Sequence, residues 1–240
     1  MHRWVIIVVG AASVVSLSSV PVAHAYRPFD GTDADVATTG DLELEVGPAQ
    51  LERLQGATTY TPGSVVNYGV AAGFELVLDL DGVIGSGSSL LASDVLVKHV
   101  LRNGSLQDKA GPSLALETGV LLPDVPVRGS GFGWIATAIA SQHWDSVTVH
   151  LNATGLYQRA HQLGGFASVI GEGPGDWVVR PVTELLIAHE GDRENAASAL
   201  AGVIWQKHKE LSFDGAVLLE REHGAFGVGV RLGFTWAVAI

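Results

Sequence analysis

The feature that most restricts this chain is a strict two-residue alternation over Gly224 to Ile240, GAFGVGVRLGFTWAVAI. Phe226, Val228, Val230, Leu232, Phe234, Trp236, Val238 and Ile240 are large and apolar. The intervening Ala225, Gly227, Gly229, Arg231, Gly233, Thr235, Ala237 and Ala239 are small or polar. A period of two marks a β-strand whose side chains point alternately to opposite faces. In a soluble sandwich the large set turns inward and leaves a glycine-rich solvent face, although glycine weakens an exposed strand. In a membrane barrel the sense inverts: bulky apolar groups meet lipid, and small and polar groups line the lumen. The barrel is the leading expectation; a soluble exported sandwich is its competitor.

The same alternation starts at residue 41. Leu42, Leu44 and Val46 alternate with Glu43 and Glu45, and Phe74, Leu76, Leu78 and Leu80 with Glu75, Asp79 and Asp81. Val147, Val149 and Leu151 alternate with Thr148, His150 and Asn152. Breakers divide the region into about twelve strands. The expected spans are 41–54, 58–70, 73–82, 93–103, 109–121, 131–142, 145–156, 161–171, 176–189, 195–207, 210–221 and 224–239. Most run to about 10–14 residues, enough for a tilted strand to cross a bilayer. Strands of globular proteins are shorter, at about 5–6 residues. The fold class expected is therefore all-β: a single antiparallel up-and-down transmembrane barrel of about twelve strands.

Ahead of the barrel lie two shorter regions. His2 and Arg3 precede an apolar run from Trp4 to Val22, and Ala23-His24-Ala25 is an A-x-A cleavage pattern. Residues 1–25 read as a signal peptide, with Tyr26 as the mature N-terminus. Residues 26–40, YRPFDGTDADVATTG, show no period and read as a periplasmic leader at the barrel mouth. Asp30, Asp33 and Asp35 supply hard oxygen donors, but no bidentate glutamate follows at calcium-loop spacing, so no metal is expected. The barrel is assigned to 41–240.

An even strand count places both barrel termini at one side, taken as periplasmic. Bacterial barrels have short periplasmic turns and longer outer loops. Residues 82–93 and 122–131 read as the long outer loops, and His143-Trp144-Asp145, Gly173-Pro174-Gly175 and Lys207–Glu210 as tight inner turns. Tryptophan favours the membrane interface because its ring is apolar while its N–H stays wet. Trp144, Trp177, Trp205 and Trp236 fall at the inner strand ends, and Trp134, with Phe132 and Phe226, at the outer.

Several chemistries are excluded or unsupported. The chain has no cysteine, which rules out disulfides and thiolate metal sites. A net charge of −11 argues against nucleic-acid binding. No G-x-S-x-G elbow, phosphate loop or H-E-x-x-H helix is present, and Gly85 to Ser89 is a flexible loop without a following helix. The histidines, His99, His143, His150, His161, His189, His208 and His223, have no zinc spacing. No cofactor is expected. Strand phase instead points Glu43, Glu45, Glu75, Asp79, Asp81, Lys98, Arg102, Glu117, His150, Arg180, Glu184, Asp214 and Arg231 into the lumen, with Lys98 and Arg102 placed to pair with Glu117. Such charges either line a pore and select solutes by charge or form a paired network that fills it.

Longer strings carry a family resemblance: RPFDGTDADVA at 27–37, DLELEVGP at 41–48, VVNYGVAAGFELVLDL at 65–80, VLVKHVLRNGSLQDKAGPSLALETGVLLPD at 95–124, GDWVVRPVTELLIAHE at 175–190 and the closing VRLGFTWAVAI. They resemble proteobacterial outer-membrane barrels of the phenol-degradation meta-pathway family, which are transporter-like. The resemblance implies a twelve-stranded Gram-negative outer-membrane barrel for uptake of small, aromatic or hydrophobic compounds, with no catalytic residues. Ile240 departs from the terminal aromatic that the barrel insertion machinery reads. The partners implied are outer-membrane lipid, that machinery and an unidentified small solute.

The expected function is thus a passive channel or transporter-like barrel, with weak cation preference. One alternative is a structural or binding barrel with a filled lumen. Another is an outer-membrane lipid hydrolase, which needs a serine activated by an oriented histidine. Ser141 with His143 is the pair on offer.

Overall fold

A computed structural model describes residues 26–85, 88–127, 130–191, 195–222 and 224–240. Residues 1–25, where a signal peptide is expected, lie outside the described residues, as do Ser86, Gly87 and His223. The strands are β1 (Asp41–Leu54), β2 (Ala57–Tyr60), β3 (Gly63–Ala71), β4 (Phe74–Gly85), β5 (Ser88–Arg102), β6 (Ser113–Val125) and β7 (Gly133–Trp144). They continue with β8 (Val147–Tyr157), β9 (Leu163–Glu172), β10 (Val179–Glu190), β11 (Ala196–His208), β12 (Leu211–Glu222) and β13 (Ala225–Ala239).

Each strand pairs antiparallel with its neighbour, and β13 returns to β1 from Asp41↔Ala239 to Leu54↔Gly227, closing a barrel. β2 and β3 are two halves of one wall strand: both pair with β1 and both with β4. Pro62, which has no N–H to give a ladder, lies in the break between them. The wall therefore has twelve staves among the described residues.

Polarity is inverted relative to a soluble core. Along β13 the small set is buried at Gly227, Gly229, Arg231, Thr235 and Ala237, while Phe226, Val228, Val230, Leu232 and Trp236 are exposed. The same holds elsewhere: Leu76, Leu78, Leu185 and Ile187 face out, whereas Glu45, Glu75, Lys98 and Glu184 are buried. So large an apolar exterior would be untenable in water and matches the hydrocarbon of a bilayer. The interior holds charged groups that lipid would penalise.

Two loop expectations change. Residues 82–85 and 88–93 are strand rather than loop, because β4 and β5 remain paired up to Gly85↔Ser88. The stretch 103–112 is irregular instead, with a 3-10 turn at Ser105–Gln107, and lies at the end where the barrel termini meet. Loop length therefore does not distinguish the two ends.

Candidate functional site

The lumen is occupied by the chain itself. Residues 26–40 reach past the barrel mouth into the lumen, and they make almost a full circuit of the wall. From Gly40 the segment runs back past β3, where Thr39 bridges Gly69. The Ala37 N–H donates to Glu75 Oε2 of β4 (2.6 Å), and the Ala34 N–H to Ser141 Oγ of β7 (2.9 Å). The Thr32 N–H donates to Asn152 Oδ1 of β8 (3.2 Å). Glu184 of β10 takes the Asp30 and Gly31 N–H groups with its two oxygens (2.8 and 2.9 Å). Phe29 packs on Val182, Ile204 and Leu200 of β10 and β11. Arg231 of β13 donates to the Pro28 carbonyl (3.0 Å) and pairs with Asp30 (2.9 Å). The Arg27 guanidinium lies 3.5 Å from Asp214 of β12, and the Arg27 N–H donates to Glu45 of β1 (3.2 Å).

Tyr26 then completes the circuit. Its ring lies 4.1 Å from the Lys98 ammonium of β5, and its hydroxyl donates to the Asp35 carbonyl (3.3 Å). Burial first, then the carboxylates of Glu75, Asp33, Glu43 and Asp35, push the phenol well above its ordinary range, which keeps it a neutral donor. Close approach explains three glycines. A Cβ on Gly47 or Gly233 would collide with the Arg27 guanidinium, and one on Gly31 with Ser168 and Asn152.

The structure places the expected lumen residues as follows. Glu43, Glu45, Glu75, Lys98, His150, Glu184, Asp214 and Arg231 are buried inside the barrel. Asp79, Asp81 and Glu117 border a cavity of about 430 Å³ above the segment. Arg180 faces Glu172 (3.3 Å). Lys98 stands opposite Glu117 in the ladder, while its ammonium reaches Asp33 (3.4 Å).

Arg102 is a correction. A bulge between Val100 and Arg102 shifts its phase, and it sits exposed at the barrel end, donating to the Pro112 (2.5 Å) and Ala110 (3.1 Å) carbonyls. It neither lines the lumen nor meets Glu117. The opposite error hid Gln50 and Glu52: a bulge between Val46 and Ala49 turns them inward, where both line the same cavity.

Sequence reasoning also missed Arg159. From the β8–β9 connection it pairs with Asp94 of β5 and Asp124 of β6 (the latter 3.2 Å) and donates to the Leu122 carbonyl (2.5 Å). It bridges above Gly133, where β7 begins. No alternation signals such a loop residue.

Ser141 and His143 do not meet: Ser141 is buried in the lumen, and His143 is exposed against Thr148. Ser141 instead contacts His150 Nδ1 (2.8 Å), whose Nε2 lies 3.3 Å from Glu172. That chain is capped by the Ala34 N–H, so the serine oxygen has no free approach here. A second cavity of about 700 Å³, bordered by Thr154, Gly164, Phe166, Ala188 and Ala196, lies at the far ends of β8–β12. No metal-holding cluster of acidic or histidine side chains occurs among the described residues. Outside, Trp144, Trp177, Trp205 and Trp236 are exposed toward one end and Trp134 toward the other.

No family model matches the chain, and no curated protein matches it. Solved structures do. An outer membrane channel from Pseudomonas putida F1 superposes with a TM-score of 0.69 at 11% identity, covering 88% of this chain and 100% of that one. KdgM porin gives 0.59 at 11% identity, covering 81% and 98%, and NanC porin gives 0.60 at 7%, covering 80% and 98%. The fold is that of the outer-membrane porin and channel barrels.

Proposed function

We propose that this protein is a channel of the Gram-negative outer membrane, closed in the observed arrangement by its own residues 26–37. The observation that carries this is the pairing of an inverted barrel with a lumen filled by one tethered segment. The wall ladder closes on itself, whereas the segment is joined to β1 through a short turn and leaves cavities on the side away from that turn. Displacing the segment opens a passage without breaking the wall ladder. Small solutes are the cargo, and apolar or aromatic ones are favoured by the family resemblance and by Phe166, Ala188 and Ala196 at the larger cavity. The acidic rim of the smaller cavity supports a preference for cations.

The test is single-channel recording of refolded protein, from Tyr26 onward, in a planar bilayer under a salt gradient. Discrete steps that become more frequent in Phe29→Ala are expected. Silence from both proteins, each shown to be folded, would discard the channel in favour of a filled, structural barrel.

A further inference from the structure

The segment is held in an unusual way for a packed core. Six of its main-chain N–H groups, at Arg27, Asp30, Gly31, Thr32, Ala34 and Ala37, are taken by wall side chains from five different strands. The acceptors Glu45, Glu184, Asn152, Ser141 and Glu75 are all buried. Side-chain acceptors set along a main chain are how a receptor reads a peptide: main-chain hydrogen bonds supply affinity and pockets supply specificity. The pockets are present too. Arg27 meets Asp214, Phe29 enters the Val182, Ile204 and Leu200 surface, Asp30 meets Arg231, and Gly31 passes where no Cβ fits. The covalent link to the wall is the Thr38–Gly40 turn, exposed at Thr38 and Thr39.

We propose that the lumen is a peptide-binding site and that residues 26–37 are its tethered ligand. The site takes a short peptide of the pattern cation–Pro–aromatic–carboxylate–Gly, turned where the Phe29 N–H donates to the Tyr26 carbonyl (3.2 Å), and it accepts one supplied free in solution. The buried acceptors call for a ligand that carries several donors, and residues 27–37 show a polypeptide main chain meeting them. A hydrocarbon would leave several carboxylates unpaired.

The experiment inserts a protease recognition sequence between Thr38 and Thr39 of the full chain, which is refolded and then cut. The severed segment should remain with the barrel through gel filtration. A fluorescent synthetic peptide of residues 26–38 should then enter saturably, read by anisotropy, and be competed by the unlabelled peptide. Two altered competitors sharpen the reading: one with Phe29→Ala and Asp30→Ala, and one N-methylated at Gly31 and Ala34, which removes two donors and leaves the side chains alone. Each should compete at least about tenfold more weakly. Equal competition by these or by a scrambled peptide would overturn the proposal. So would a severed segment that departs with no peptide binding, or one that stays and never exchanges. The readout is binding, so it stands or falls separately from conduction.

Discussion

The two halves of the lumen are built from different chemistry. Staves β1 to β6 present Glu45, Glu52, Asp79, Asp81 and Glu117 to the smaller cavity, and Lys98 is the cation that these strands hold buried. Strands β7 to β12 present mainly hydroxyls, amides and apolar groups such as Thr137, Asn152, Thr154, Ser168 and Leu200, with His150, Glu184 and Asp214 buried among them. The cations that balance the acidic half are brought from elsewhere: Arg27 from the threaded segment, Arg159 from the β8–β9 connection and Arg231 from β13. The first half is therefore balanced by imported charge, and the second combines close packing around Phe29 with the contacts that Glu184 and Asp214 make to the segment.

Four experiments break or sharpen this contrast. The halves should differ only inside. Leu78→Arg in β4 and Leu185→Arg in β10, both on the outer face, should each cost about 2–4 kcal/mol in refolding stability into lipid. A clear difference between the two would mean that the bilayer does not contact both halves alike. Phe29→Ala should weaken docking of the segment on the packed half by about 1.5–3 kcal/mol, read as faster proteolysis at Thr38–Thr39 with the barrel's heat-modifiable gel migration unchanged. Glu184→Ala strips acceptors from the Asp30 and Gly31 N–H groups and should loosen the same segment by about 1–3 kcal/mol, while Glu184→Gln retains one acceptor and falls between. The smallest energetic effect is expected for Asp79→Asn with Asp81→Asn, both at the smaller cavity. Stability should move by no more than about 1 kcal/mol, while the reversal potential under a salt gradient shifts away from cation preference. No shift would detach selectivity from the acidic half.

Much of the wall was legible because alternation is local. β13, β8 and β11 fall within a few residues of their expected spans, since each has a bulky face and a small one. Where the backbone slips by one residue, alternation misleads. Pro48 and the bulge beside it reverse the phase of β1, which hid Glu52, and the bulge at Val100 reverses β5, which misplaced Arg102. Serines and glycines mark turns and so disguise the β4–β5 hairpin as loop, yet the ladder uses only their main chain. The threaded segment was least legible. It has no period, and its partners are acceptors scattered over five strands, which no single stretch of sequence displays.

The closure between β1 and β13 bears on the order of assembly. It joins the staves farthest apart in sequence, so the chain-entropy cost of that seam is the largest of any strand pair in the wall. The Thr38–Gly40 turn leads straight into β1 beside this seam. A segment that encircles the interior has to be drawn in before the seam shuts, or wait at an open mouth until the wall is complete. In this protein the last gap to close stands next to the stretch of chain that must pass inside.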